Sequence, residues 1–285
     1  MRGRKRVNNY KLIACDLDGT LIGSNLKLSK ENYEAIKEIA DKGILFVPTT
    51  GRTICEMEEI FNMPEIRYVI FSNGAVVCDK LTGENIFLGL DEKNFSFIYD
   101  TASKFNMYMV VHKDGKTYAD KKKSTMFSKY NVSREVVKLV KEHCILCDDL
   151  EKVVCDSVEC VSIFFASKEE TDSCRDILSS NPDLYIVEGW ECNLEIFYKN
   201  AGKDNALKIL VEKLNLDMKN VISIGDSDND TKMTVISGLG LAVENACDIL
   251  KNNADEIICS NDEHVVRYVI DNYFKEKSEG TTNEN

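Results

Sequence analysis

The stretch CDLDGTLIG, residues 15–23, decides how the chain is to be read. It follows the apolar run YKLIAC and sets Asp16 and Asp18 one residue apart, with Gly19 and Thr20 behind them. Two like charges at that spacing repel, so their placement needs a reason. Taken alone, the segment fits a hairpin, because Asp-Gly between apolar runs is a strong turn signal, and it fits a functional site at a strand end equally well. The sequence that follows separates the two. Ser29 can cap a helix in which Tyr33, Ile36, Ile39 and Ala40 share one face, and Gly43 stops it. A helix directly after the first strand asks for a parallel crossover, which a hairpin excludes.

Working outward, ILFVPTT (44–50) reads as a second strand, 53–61 as a short helix ended by Pro64, and YVIFS (68–72) as a third strand. The runs are continuously apolar, as strands of a parallel sheet covered on both faces are. From about Gly89 the pattern changes. Helical stretches at 91–105, 134–146 and 169–179 are separated by MYMVV, an Asp114-Gly115 turn, VSIFFA, LYIVE and LEIFY, an α+β mixture that suggests an inserted domain. After Asn200 the first rhythm returns: a helix from Lys203, the strand VISIG, a helix from Asn229, the strand LGLAV, a short helix, EIICS and a last helix to Phe274. The expected organisation is an α/β, doubly wound, mostly parallel Rossmann-like core built from 10–88 and 195–274, an α+β module at 89–194 threaded between its halves, and flexible polar tails at 1–9 and 275–285.

The totals set limits. The chain has 285 residues, 44% of them hydrophobic and 29% charged, which describes a soluble globular protein with a substantial core. No apolar run spans a bilayer, and the basic head MRGRKRV lacks the apolar stretch of a secretion signal, so a cytoplasmic protein without membrane partner is expected. A net charge of −12 argues against a nucleic-acid partner. The basic cluster DKKKS (120–124) reads as an exposed turn. Eleven irregularly spaced cysteines read as reduced thiols. His143, Cys144, Cys147, Cys155 and Cys160 contain one CxxC but lack the second that a zinc site would need. His112, His143 and His264 have no partner identifiable from the sequence. Trp190, Glu191, Asn193 and Glu195 lie near the module's return to the core, where Trp190 fits either a half-buried aromatic or a substrate platform.

Ligands of an open parallel α/β sheet sit beyond the carboxyl ends of its strands. Asp16 follows LIAC, Thr50 follows LFVP, and GDSDND (225–230) follows VISI, so polar groups occupy equivalent places at three strand ends. Asp16, Asp18, Asp226 and Asp230 sharing one rim would be a repulsive arrangement without a cation. Magnesium fits, because it takes carboxylates, waters and phosphate oxygens. Lys203, opening its helix, offers a further positive charge.

In order, DLDGTL, TTGR, SNGA, KDNAL and GDSDNDTKM resemble the motifs of the haloacid dehalogenase superfamily, and the inserted module with AVENA (242–246) resembles its Cof-type phosphatases with a type IIB cap. The likeness runs from Tyr10 to about Phe274. It implies a magnesium-dependent phosphatase acting on a small phosphorylated metabolite, such as a sugar phosphate, through an aspartyl-phosphate. Asp16 would be the nucleophile and Asp18 the acid and then base. Thr50 would hydrogen-bond the phosphoryl group and Lys203 would balance its charge. The metal set would be Asp16, Asp18 through its carbonyl, Asp226 and Asp230, oriented with Asn229. Gly51, Arg52, Asn73 and Asn229 would face substrate. A sugar phosphomutase, and a non-catalytic phospho-receiver, remain alternatives; a receiver needs neither Asp18 nor the inserted module. A monomer or weak homodimer is expected. Two departures stand out: Asp204 replaces the glycine after the motif lysine, putting negative charge near Lys203, and His264-Val265 replaces a late Asp-Gly, with an expected effect on cap contacts.

Overall fold

Leu12, Ile13, Ala14 and Cys15 are completely buried, as a strand covered on both faces must be. In the computed structural model, which describes residues 9–153, 157–188 and 192–274, this strand pairs in parallel with Val221–Gly225, Leu12 opposite Val221 and Cys15 opposite Ile224. The five-stranded sheet runs in the order Glu256–Ile257, Leu239–Ala242, Val221–Gly225, Leu12–Cys15, Leu45–Pro48. The chain therefore steps from Leu12–Cys15 in one direction and from Val221–Gly225 in the other. This is a doubly wound α/β sheet, and its order reverses between those two strands, at the place where such sheets bind ligands.

The first helix, Lys30–Asp41, starts at Ser29, whose hydroxyl accepts from the Asn32 amide at 3.2 Å. It buries Asn32, Ala35, Ile36 and Ile39, so the inward face is turned slightly from the one expected around Tyr33 and Ala40. The buried Asn32 explains the turn. Its Nδ2 donates to the Leu21 carbonyl at 3.3 Å and its Oδ1 accepts the Val266 amide at 2.9 Å, which ties the first helix to the last, Val265–Tyr273. His264, which opens that last helix at φ 59°, meets the Ser29 hydroxyl at 3.0 Å. The residue in place of Asp-Gly is thus a clasp between the two ends of the chain.

Contacts group the residues up to Val47 and from Asn215 onward as one compact unit, and Pro48–Leu214 as a second, a wider span than the module expected at 89–194. In the second unit, Tyr68–Phe71, Val76–Asp79 and Glu84–Phe87 form an antiparallel three-stranded sheet. A parallel bridge from Thr49 to Ile70 precedes the meander. The helix expected at 53–61 is broken into Ile54–Glu56 and Glu58–Phe61, because Met57 between them leaves helical geometry at φ −136°, ψ 29°.

The remaining strands of this unit form a six-stranded sheet in the order Leu184–Val187, Asn193–Tyr198, Val158–Phe165, Met107–Lys113, Lys116–Asp120, Cys144–Cys147. All pairs are antiparallel except the last. Alternation sends Met107, Met109, Val111, Val161, Ile163, Phe165, Leu194 and Ile196 to one face, packed on Phe95, Ile98 and Ala102 of helix Glu92–Ala102 and on Cys174 and Leu178 of helix Lys168–Leu178. Tyr108, Val110, Ala119 and Phe164 face the other way, onto Tyr130 and Val140.

Three local expectations change. The helix expected at 134–146 ends at His143, and Cys144–Cys147 instead adds a parallel edge strand to Lys116–Asp120. Cys144 and Cys147 are then three residues apart on a strand and point to opposite faces, so this CxxC does not chelate as a loop would. In DKKKS, Lys121 and Lys122 are exposed, whereas Ser124 is partly buried and meets the Tyr108 hydroxyl at 2.9 Å. His112 also gains a partner, with Nδ1 3.2 Å from the Thr117 hydroxyl. The described cysteines are all free, and burial pushes the Cys144 and Cys174 thiols up to about 12. Cys155, Trp190, Glu191 and the two tails lie outside the described residues. Among the described residues, no helix is long and apolar enough to cross a membrane.

One ion pair on the three-stranded sheet has a clear pH signature. Arg67 donates Nε and Nη2 to Asp79 at 3.1 and 2.9 Å, and the Leu81 amide adds a third bond at 3.0 Å. These bonds, the guanidinium's first, hold the Asp79 carboxyl down to about 2 from an ordinary 3.8. A carboxylate depressed in the folded state contributes stability above its unfolded pKa and loses it as pH falls through the folded value. Arg67→Gln should move the Asp79 titration, followed by its carboxyl carbon shift, back toward 3.8, and should flatten the gain in urea stability between about pH 2 and pH 4.

Candidate active site

The first strand's pairing continues one residue past its end. The Asp16 amide donates to the Ile224 carbonyl at 3.0 Å, which fixes Asp16 at the carboxyl edge of the sheet beside the neighbouring strand. The chain then turns tightly: the Leu21 amide returns to the Asp16 carbonyl at 3.2 Å and the Ile22 amide to the Leu17 carbonyl at 2.8 Å. Asp16 is 4% exposed, whereas Asp18 on the turn is exposed to solvent. Gly19 has φ +77°, and a Cβ there would lie 2.5 Å from Asp226 Oδ2. Glycine is required twice over, by backbone and by space. Thr20 donates its hydroxyl to Asp226 Oδ1 at 3.2 Å, and Asn245 of AVENA donates Nδ2 to the Gly19 carbonyl at 2.7 Å.

Asp226 follows Val221–Gly225 and is held by its own loop. The amides of Asp226 and Ser227 both donate to Asp230 Oδ2 at 3.2 Å, and Ser227 and Asp230 form a reciprocal capping box. Asp230 is fully buried, and the Asp226 carbonyl accepts the Cys247 amide at 2.7 Å. Ser227 also donates its hydroxyl to Asn229 Oδ1 at 2.9 Å, leaving Asn229 on the exposed side of the turn. The result is that one ligand atom from each of Asp16, Asp226 and Asp230 lies within 4.8 Å of the others. An all-oxygen donor set of this kind suits a hard divalent cation. Among the described residues no other such group of His, Cys, Asp or Glu converges. The Asp18 carboxylate is outside the trio.

The second unit gathers the other expected residues among themselves. Thr50, fully buried, donates its amide to the Ile70 carbonyl at 2.9 Å, while its hydroxyl accepts the Arg52 amide at 3.1 Å and its carbonyl the Asn73 amide at 2.9 Å. The Ser72 amide closes the set on the Arg52 carbonyl at 3.0 Å. Arg52 Nη1 donates to the Glu56 carbonyl at 2.9 Å, and Gly51 lies against the Asn73 side chain. Gly74, at φ +89°, packs so closely that a Cβ would fall 2.4 Å from the Gly202 carbonyl group and 2.9 Å from the Lys203 amide. That contact brings the start of helix Lys203–Lys213 to the Asn73 turn, with Lys203 only 2% exposed. Asp204 leans the other way, its carboxylate 3.5 Å from Lys208 Nζ one turn along the same helix. Its charge therefore has a cation of its own.

Sequence reasoning missed Thr20, Ser227 and Asn245. All three were inside motifs already singled out, but a hydroxyl or amide that braces a carboxylate loop looks like any polar residue until the loop closes.

With that geometry in view, likeness to known proteins becomes informative. A family profile for haloacid dehalogenase-like hydrolases matches residues 13–270. Phosphatase YwpJ of Bacillus subtilis (strain 168) is 28% identical over 283 residues, covering 91% of this chain and 98% of its own. The 5-amino-6-(5-phospho-D-ribitylamino)uracil phosphatase YcsE of the same organism is 30% identical over 265 residues, covering 92% of this chain and 95% of its own. Among solved structures, the HAD subclass IIB sugar phosphatase BT4131 superposes with a TM-score of 0.73 over 93% of this chain and 99% of its own at 19% identity, which is a likeness of fold. The matched span covers nearly every residue described above, and the chain belongs to the haloacid dehalogenase-like hydrolases, among their Cof-type phosphatases.

Proposed function

We propose that the protein is a magnesium-dependent phosphatase that hydrolyses a small phosphomonoester, a sugar phosphate or similar metabolite, through an aspartyl-phosphate on Asp16, and that it works in the cytoplasm. The observation that carries the reading is the convergence of Asp16 with Asp226 and Asp230 at the sheet's switch point. A hairpin or an ornamental acidic turn would not set aspartates after two adjacent parallel strands and bring their carboxylates to one spot.

In the first step an Asp16 carboxylate oxygen attacks phosphorus, the bond from phosphorus to the ester oxygen breaks, and protonated Asp18 gives its proton to that leaving oxygen. In the second, Asp18 as carboxylate takes a proton from water, the water oxygen attacks phosphorus, and the bond to Asp16 breaks to release inorganic phosphate. The exposed position of Asp18 on the turn suits a group that must meet both alcohol and water. Asp16, Asp226 and the Asp18 carbonyl would hold magnesium, with Asp230 and Asn229 orienting them; the ion would offset phosphate charge and allow a carboxylate to approach. Thr50 and Lys203 are assigned to the phosphoryl group, and Arg52, Gly51 and Asn73 to substrate, on the order of the family motifs and on their gathering within one unit. Residues 89–194 act in this reading as the cap that selects the organic portion. The names of the relatives support the substrate class: YcsE acts on a phosphorylated ribityl compound, and BT4131 is a sugar phosphatase.

Purified protein with magnesium should release inorganic phosphate from p-nitrophenyl phosphate, and a panel of phosphorylated metabolites should name better substrates. Asp16→Asn should lower the rate by at least about a thousandfold with the circular dichroism spectrum unchanged; a parental rate would remove the nucleophile assignment. Asp226→Asn should weaken magnesium binding in calorimetry by about tenfold or more, and an unaltered isotherm would move the metal elsewhere. Asp18→Asn should slow both steps. If phosphate release in that variant matched the parent, Asp18 would be neither acid nor base.

A further inference from the structure

Glu159 is a charged side chain that the chemistry above does not use. It is 1% exposed, and both of its oxygens are engaged: Oε2 accepts from the Ser72 hydroxyl at 2.6 Å and Oε1 from the Gly115 amide at 2.7 Å. Burial pushes its pKa up, while the bonds from Ser72 and Gly115 pull it back. A carboxyl group this far from water persists only where such donors are built around it.

Its position in the sheet is unusual. Between Val158–Phe165 and Met107–Lys113 the register slips: Cys160 lies opposite His112, but Val158 lies opposite Lys113. Glu159 is the additional residue of that bulge, a device that re-aims a side chain out of the regular alternation. Next to it, Val158 exchanges two main-chain hydrogen bonds with Leu90, at 2.7 and 3.1 Å, which anchors the bulge at the start of the α+β segment.

What Glu159 reaches is equally unusual. Ser72 and Asn73 are consecutive non-glycine residues in left-handed conformation, with φ of 49° and 53°. Such a pair is held only when its surroundings over-determine it. Main-chain bonds from Ser72 to Arg52 and from Asn73 to Thr50 supply part of the constraint. The bond to Glu159 fixes the Ser72 side chain as well, and through Gly115 it fastens the turn of the Met107–Asp120 hairpin to the same carboxylate.

We propose that Glu159 is a positioning residue for substrate binding, a buried strut that locks the Ser72–Asn73 turn against the six-stranded sheet and so sets where Thr50, Arg52 and Asn73 present their polar groups. The kinetic part of this inference rests on the phosphatase reading; the structural part rests on the hydrogen bonds alone.

The test compares Glu159→Ala with Glu159→Gln, which keeps an acceptor for Gly115 and a partner for Ser72. With p-nitrophenyl phosphate and magnesium, Glu159→Ala should raise KM by about tenfold while kcat changes less, and Glu159→Gln should recover most of the loss. A merely structural role would lower the amount of active enzyme, and hence apparent kcat, at constant KM. Hydrogen exchange should show the Gly115 amide losing protection in Glu159→Ala and keeping it in Glu159→Gln. If folded Glu159→Ala keeps the parental KM, or if the Gly115 amide stays protected, the strut is refuted. Should Glu159→Ala not fold, Ser72→Ala removes one hydroxyl beside an intact Glu159 and should raise KM in the same direction; no rise would overturn the proposal. If the parent hydrolyses no phosphomonoester, the phosphatase reading fails by itself, and hydrogen exchange still decides on the strut.

Discussion

Three carboxylates within 4.8 Å of one another are the constraint to which the unit holding Asp16 is built. At an effective dielectric near 20, each pair of full charges at that separation repels by roughly 3 kcal/mol, a sizeable part of a typical folding free energy. Neutral scaffolding helps to hold the side chains in place: parallel pairing carried through to Asp16, a glycine with no Cβ at position 19, and two amides clamped on Asp230. A divalent cation bound there, as proposed above, would offset that repulsion.

The polar groups of the second unit are organised by a different principle. Thr50, Arg52, Ser72 and Asn73 are joined mostly through main-chain donors and acceptors, to which the Thr50 hydroxyl and the Glu159 carboxylate each add a side-chain bond. The constraint is conformational, with two left-handed residues in succession followed by a glycine pressed against Gly202. One unit holds charge against repulsion; the other holds backbone against strain.

Much of this was legible from residue order. The apolar runs ahead of Asp16 and Asp226 mark parallel strands because both faces are buried, and the polar residues after them fall at carboxyl ends by necessity. The helix start at Ser29 is visible because a capping side chain is a local signal, while the helix expected from 169 starts one residue earlier behind its Ser167 cap. What failed was nonlocal. Residues 144–146 continue a helical pattern on paper, yet an available sheet edge beside Lys116–Asp120 draws them into a strand. Tyr68–Phe71 reads as one more parallel strand and does meet Thr49 in parallel at Ile70, but the left-handed turn at Ser72–Gly74 then sends the chain back antiparallel along its other edge. His264 and Glu159 look idle in sequence because their partners, Ser29 and Ser72, are 235 and 87 positions away.

That Asp16 and Asp226 belong to one unit assembled from both ends of the chain has a consequence for biosynthesis. Pro48–Leu214 is continuous and can begin to fold as it leaves the ribosome, whereas the opening strand must wait for Val221–Gly225 before its sheet can close on that side. Closing so long a loop is slow but adds little to the equilibrium cost, since loop entropy grows only logarithmically with length. A nascent or prematurely terminated chain therefore carries Asp16 without Asp226 and Asp230, the two aspartates that converge on it. The acidic trio is completed late in synthesis, and half-made protein holds only part of it.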